Sequence, residues 1–279
     1  MKHLEFERQT KDGLKLFFQE WQPENESKAV VCLMHGFPEH SSRYAHVAAF
    51  LTKAGFALLT FDLRGHGKSQ GKRGHVSSYE SFFDDIAVLE EEARNRFPGK
   101  PIFFYGHSFG GNLVLNYALR RKPKIEGVIA TSPWLRLAYD PPPLKLIIAC
   151  IANKLIPSLT SPSGLETKAL SRDPKIVSAY ENDPLIHNRI SSHMYLSIVE
   201  AGEWALDHAN EFALPLLIVH GGSDRITSAE ASRQFANRVP GNCTYKLWPG
   251  LYHEIHNEPE KNEVFAFIIN WLNDRINAK

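Results

Sequence analysis

Several common fates are excluded by what this chain has little of. Cysteine is scarce: Cys32, Cys150 and Cys243 are its three cysteines, far apart and odd in number. That count supports neither a disulfide framework nor a zinc site, and it fits a reducing compartment. Charge of one sign is not in excess either, with 32 Lys and Arg against 31 Asp and Glu. Nothing therefore recommends nucleic acid or another polyanion as a partner. No apolar run is long enough to cross a bilayer, because the longest, Leu144 to Ile156, is interrupted by Lys145, Asn153 and Lys154. The opening residues MKHLEFER are charged and carry no apolar core of a secretory signal. There is no internal repeat and no low-complexity tract. What remains, 43% hydrophobic and 23% charged over 279 residues, suits one large core or two modest domains. These features predict a cytoplasmic globular protein.

Two amphipathic strands, Phe6 to Thr10 and Leu14 to Trp21, flank a Lys11-Asp12-Gly13 turn. Short apolar runs then alternate with helical periodicity. Strands are expected at Ala29 to Met34, Phe56 to Phe61, Ile102 to Tyr105 and Ile125 to Ala130. Helices are expected at Arg43 to Lys53, Tyr79 to Phe97 and from Asn112 to Arg121. Wholly apolar strands between helices call for a mostly parallel sheet covered on both faces. The rhythm breaks at Trp134. As far as Asn210 the chain is rich in proline, has helical patches and shows no convincing buried strand. Alternation resumes with strands Leu216 to His220 and Cys243 to Leu247 and helices Ser228 to Arg238 and Pro259 to Ile276. The organisation predicted is a core of 1–133 and 211–279, with residues 134–210 inserted as an all-helical cap. Such a cap would lie over the carboxyl edge of the sheet, where ligands bind.

The segment Tyr105-Gly106-His107-Ser108-Phe109-Gly110-Gly111 joins a buried strand to a helix. Ser108 falls on the bend, and Gly106 and Gly110 let strand and helix approach while the serine backbone is strained. A serine hydroxyl becomes a nucleophile only beside a base and an oxyanion site. The acid and the base are expected on loops after later strands, in the order Ser, acid, His. Asp224 in HGGSDRIT fits the acid; the alternative, a helix N-cap, is better filled by Thr227. His253, after the strand CTYKL and the loop WPGLY, fits the base. His256 competes with it but is read as lining the pocket. His66 and His107 are read as structural, and His253-Glu254-Ile255-His256 lacks the four-residue histidine spacing of a zinc helix. For the tetrahedral intermediate the expected donors are the backbone N–H of Phe109 and that of Phe37, in His35-Gly36-Phe37-Pro38. No metal or cofactor is called for.

With these pieces in place the chain resembles the α/β-hydrolase superfamily, and within it the monoacylglycerol lipase group. The matching motifs are HGFPEHSSRY from His35, FDLRGHGKSQGKRGHV from Phe61, GHSFGG, TSPW, AYENDPL, HGGSD and PGLYHE, all in the family's order. The resemblance implies an α/β-hydrolase fold: a mostly parallel, eight-stranded-type sheet with helices on both faces and a helical cap. It implies that Glu39 and Arg43 stabilise the oxyanion loop near the alcohol end of the substrate, and that Tyr180 and His256 contact a glycerol moiety. The activity implied is hydrolysis of monoacylglycerols to fatty acid and glycerol. A lysophospholipase or a short- or medium-chain carboxylesterase with the same triad is the alternative. In the cap, Leu144, Ile147, Ile148, Ile151 and Leu155 recur at helical spacing. That stripe either packs inward or lines an acyl tunnel, or it faces outward onto lipid and makes peripheral membrane contact.

Overall fold

The computed structural model describes residues 1–277. The chain runs β1 (Lys2–Gln9), β2 (Lys15–Gln22), β3 (Val30–Met34), α1 (Ala45–Lys53), β4 (Ala57–Phe61), α2 (Glu80–Arg96), β5 (Ile102–His107), α3 (Phe109–Arg121) and β6 (Gly127–Thr131). Next come α4 (Pro143–Leu155), β7 (Thr160–Pro162), α5 (Pro174–Glu181), β8 (Arg189–Ser191) and α6 (Ser192–Asp207). It closes with β9 (Leu216–Gly221), α7 (Ala229–Arg238), β10 (Cys243–Trp248) and α8 (Lys261–Asn277).

Eight strands form one sheet in the order β1-β2-β4-β3-β5-β6-β9-β10. The β1–β2 and β2–β4 pairs are antiparallel and every other pair is parallel. Side chains alternate across the pleat, so each central strand feeds two cores. From β3, Val30, Cys32 and Met34 join Phe104, Phe109 and Leu113 on one face. Val31 and Leu33 join Phe103, Tyr105, Phe265 and Trp271 on the other. Continuous apolar strands are the sequence mark of a sheet covered on both faces. The sheet's carboxyl edge carries the loops after β3, β5, β9 and β10.

The segment between β6 and β9 differs from its expected all-helical form. β7 and β8 pair antiparallel, three residues each, too short and too polar to show as an apolar run. Helix α6 is also no cap element. Its buried residues Met194, Ile198, Ala201 and Ala205 follow a helical period and pack it against α3. Asn116 Nδ2 donates to the Ala201 carbonyl at 3.1 Å, and a Cβ on Gly202 would lie 2.1 Å from the Leu135 carbonyl oxygen. Outward from that layer stands α4, opened by Pro143 in its first turn, where the missing N–H costs nothing. None of its residues is buried; Leu144 is 68% exposed and Leu155 75%.

Candidate active site

Ser108 joins β5 directly to α3 with φ 53° and ψ −113°, a region that non-glycine residues avoid and that stores strain where the surroundings enforce it. Here they do. A Cβ on Gly106 would lie 2.1 Å from the Gly110 carbonyl oxygen, and one on Gly110 would lie 2.0 Å from that of Met34. The Ser108 N–H donates to the Thr131 carbonyl at 2.9 Å, and its own carbonyl accepts from Asn112 at 3.0 Å and Trp134 at 2.9 Å. The bend is thus held on both sides.

His253 Nδ1 lies 2.7 Å from Asp224 Oδ2. Each partner is fixed by its own loop. Asp224 Oδ1 accepts the N–H groups of Ile226 at 2.7 Å and Thr227 at 3.0 Å. Ser132 Oγ donates to the His253 carbonyl at 2.8 Å, while the His253 and Glu254 N–H groups donate to the Ala169 and Leu170 carbonyls at 3.4 and 2.8 Å. Helix α7 is capped by Ser228, whose hydroxyl accepts from Ala231 N–H; the expected cap at Thr227 is displaced by one residue, because Thr227 turns its hydroxyl onto Asp224 at 2.9 Å. Because His253 spends Nδ1 on Asp224 and Thr227, its Nε2 remains for the cavity. Ser108 and His253 line that cavity together without a hydrogen bond between their side chains, a common state before substrate binds.

The loop after β3 passes directly over the bend: a Cβ on Gly36 would lie 3.2 Å from Ser108 Cβ. The next residue is Phe37, joined to Pro38 by a cis peptide. Phe109 opens α3, where the first N–H groups of a helix have no partner within it. Glu39 braces the loop by accepting Gly36 N–H at 2.8 Å and the Tyr44 hydroxyl at 2.6 Å. Arg43 bonds Glu39 and forks onto Glu254 at 2.7 and 2.8 Å. One guanidinium thereby ties the loop of Phe37 to the loop of His253.

The cavity measures about 240 Å³ and is walled by Phe37, Trp134, Leu137, Tyr195 and Ile226 around Ser108 and His253. Leu137, Tyr139, Ile190 and Tyr195 also border a second cavity of about 380 Å³, whose far wall includes Leu146, Ile148 and Ala149 of α4. Glu39, Arg43 and His256 line neither. His256 is instead buried, its ring 5.0 Å from Tyr44 and 4.7 Å from His107, rather than at the pocket wall. Tyr180 sits with its ring 4.8 Å from the Arg43 guanidinium and borders a third cavity of about 530 Å³ with Pro38, Asp183 and His187.

The electrostatics follow from this packing. Burial would raise the Asp224 carboxyl, but the His253 imidazole and hydrogen bonds from His220 and His253 outweigh it and hold it well below the carboxylate range. Burial likewise opposes charge on His253, yet Asp224 overcomes this and lifts it above the usual imidazole value. His107 is pushed down to about 4 by burial and by His253, and burial takes His256 well below its usual value. Among these neighbouring histidines, His253 alone is drawn toward the charged form.

Two contributors, Ser132 and His220, were not singled out in the sequence, and a third, Thr227, was read only as a helix cap. Ser132 and Thr227 hold the acid and base loops, and His220, at the end of β9, touches Asp224 at 3.1 Å. The His in HGGSD was the available signal for the last.

The model of the serine aminopeptidase, S33 family matches residues 25–260. A monoacylglycerol lipase of Mycolicibacterium smegmatis is 33% identical over 262 residues, 93% of this chain and 93% of that protein. An uncharacterised abhydrolase domain-containing protein of Dictyostelium discoideum is 39% identical over 97% of this chain, which spans 29% of that longer protein. The crystal structure of a Paleococcus ferrophilus monoacylglycerol lipase superposes with a TM-score of 0.85 at 36% identity, covering 93% of this chain and 99% of that one.

Proposed function

The chain belongs to the serine aminopeptidase, S33 family of α/β-hydrolases and is a carboxylic-ester hydrolase; on that premise we propose that it cleaves monoacylglycerols to fatty acid and glycerol through an acyl-enzyme on Ser108. The observation that carries this reading is the pairing of His253 with Asp224 at 2.7 Å in a cavity that His253 shares with Ser108 and apolar walls. His253 takes the Ser108 proton as Oγ attacks the ester carbonyl, and Asp224 steadies the imidazolium. The N–H groups of Phe37 and Phe109 hold the negative oxygen. The tetrahedral intermediate collapses, glycerol leaves with the proton from His253, and Ser108 keeps the acyl group. Water, deprotonated by His253, then releases the fatty acid and restores the serine. The steps need no cofactor.

Glu39 and Arg43 act in this reading through the two loops they brace. Tyr180 and His256 contribute by packing, with Tyr180 beside the third cavity, through which glycerol would pass. The relatives named monoacylglycerol lipases support the choice of ester. So does the wall shared by the second cavity and that of Ser108, because α4 borders the second cavity and bares Leu144, Ile147, Ile151 and Leu155 to solvent. Exposed apolar faces of that extent mark contact surfaces, and with Lys145 and Lys154 on the same helix the partner that fits is a lipid surface. In this reading the protein rests peripherally on membrane and draws amphiphile directly from it.

Hydrolysis of monoacylglycerols of several chain lengths, a triacylglycerol, a lysophospholipid and p-nitrophenyl esters tests the assignment, with Ser108→Ala as control. Preference for monoacylglycerol, with turnover lowered at least about 10⁴-fold in the variant, is the expected result. Preference for lysophospholipid, or activity confined to short activated esters, would overturn the substrate assignment.

A further inference from the structure

Asp224 carries a hydrogen bond that the mechanism above does not use. Its Oδ2 accepts from His253 Nδ1 at 2.7 Å and from Thr227 Oγ1 at 2.9 Å, and a second imidazole, His220 Nε2, stands 3.1 Å from the same oxygen. His220 is fully buried and is not among the residues lining the cavity of Ser108, so it meets no substrate.

The protonation of this ring follows from its neighbours. Nε2 faces the Asp224 carboxylate and, at 3.3 Å, the Thr227 carbonyl. A bare lone pair there would confront acceptors, so Nε2 carries the proton and donates. Nδ1 is then an acceptor, and its partner is the hydroxyl of Ser232, at 2.8 Å on α7. Ser232 is itself fully buried. Of the groups hydrogen-bonded to His220, Asp224 alone bears a charge; Thr227 and Ser232 are neutral, and His253 lies across the carboxylate.

We infer that His220 is a positioning residue of the triad, oriented by Ser232, whose Nε2–H pins the Asp224 carboxylate beneath His253 and withdraws part of its negative charge. The inference rests on the assignment of Ser108, Asp224 and His253 made above. Two consequences are mechanical and electrostatic in turn. With donors on both oxygens, the carboxylate cannot rotate Oδ2 away from Nδ1 of His253. With a third donor on Oδ2, the carboxylate is a weaker partner for the imidazolium, so His253 gives up its proton more readily to the leaving alcohol. Glu254 and Glu39 also favour the charged form of His253, whose ring packs 4.8 Å from that of His107, and the His220 bond offsets part of the carboxylates' pull.

The test is the pH dependence of kcat/KM for p-nitrophenyl butyrate in His220→Leu, His220→Gln and Ser232→Ala, with thermal unfolding of each and Ser108→Ala as control. His220→Leu keeps bulk but removes the donor; kcat should fall about tenfold, the usual scale for a hydrogen bond to a charged group. Its acid limb should move to higher pH, because His253 beside a less neutralised carboxylate holds its proton more tightly. His220→Gln places an amide N–H at the same oxygen and should keep the wild-type limb and most of kcat. Ser232→Ala, which frees the ring without deleting it, should show a smaller shift in the same direction, and it remains informative if His220→Leu does not fold. Lost activity with an unmoved limb, or a glutamine variant indistinguishable from leucine, would reduce His220 to packing. Activity surviving in Ser108→Ala would instead overturn the triad, a result separable from either.

Discussion

Around Ser108 the backbone leaves no spare volume, whereas α4 in the cap buries no side chain at all. A methyl group on Gly106 or Gly110 would sit about 2 Å from a carbonyl oxygen, and Gly36 is crowded by Glu39, His107 and Ser108. In the cap, a methyl on Gly164 would meet nothing within 4 Å, and Leu155 is 75% exposed. The two regions answer to different demands. The proposed chemistry needs Ser108 and His253 held to fractions of an ångström against loops from four strands. The cap leaves an apolar surface open to water, which in the proposed reading is the face that meets lipid.

That contrast can be broken most sharply at Gly110. Gly110→Ala drives a methyl into the Met34 and His35 carbonyls, backbone atoms that cannot step aside; thermal unfolding should show a loss of about 3 kcal/mol or more, with activity abolished. A stable, active variant would mean the bend is not over-determined. The cap gives the opposite pattern. Ile151→Glu with Leu155→Glu should abolish sedimentation with anionic liposomes and lower turnover of dispersed monoacylglycerol about tenfold. Stability should stay within about 0.5 kcal/mol and p-nitrophenyl butyrate hydrolysis should be unchanged. Unaltered liposome binding would show that the exposed stripe serves something else.

Acid should separate the regions more gently. His253 is raised above the usual imidazole value of about 6.5, so kcat/KM should fall as pH drops through a point above 6.5. His66, His107 and His256 are buried neutral and lowered. The unfolded chain therefore takes up their protons near pH 6.5 while the folded protein does not, and stability declines only as pH falls below about 6.5. His253, being raised, adds stability as pH falls toward about 6.5, so activity should be lost before the melting temperature falls; coincident loss would contradict the assignment of His253 as the titrating base.

Local pattern carried the sheet well, since doubly covered strands such as Val30–Met34 are apolar throughout. The loops of Ser108 and Asp224 were also legible, because each follows such a strand, whereas the loop of His253 follows β10, a half-buried edge strand that includes Lys246. Other features depend on what lies far away in sequence. α3 begins at Phe109, not Asn112, because Gly110 and Gly111 hide a helical start that the bend itself imposes. α6 joined the core because Asn112 and Asn116 bond its carbonyls, a pairing no periodicity announces. Glu39 and Arg43 are expected from the motif to stabilise the oxyanion loop near the alcohol end of the substrate; Glu39 accepts Gly36 N–H, while the fork of Arg43 onto Glu254 joins residues too far apart in sequence for the motif to reveal. For α4 periodicity gave the stripe but not which way it faced, since an amphipathic helix scores alike against a core or a membrane.

Peptide mapping by mass spectrometry after labelling with a long-chain alkyl phosphonate, with residual ester hydrolysis read on the same samples, tests the central claim most directly. One adduct on Ser108, with hydrolysis lost in proportion to its occupancy, is the predicted result. Hydrolysis persisting in fully labelled protein, or an adduct elsewhere that tracks the loss, would contradict it.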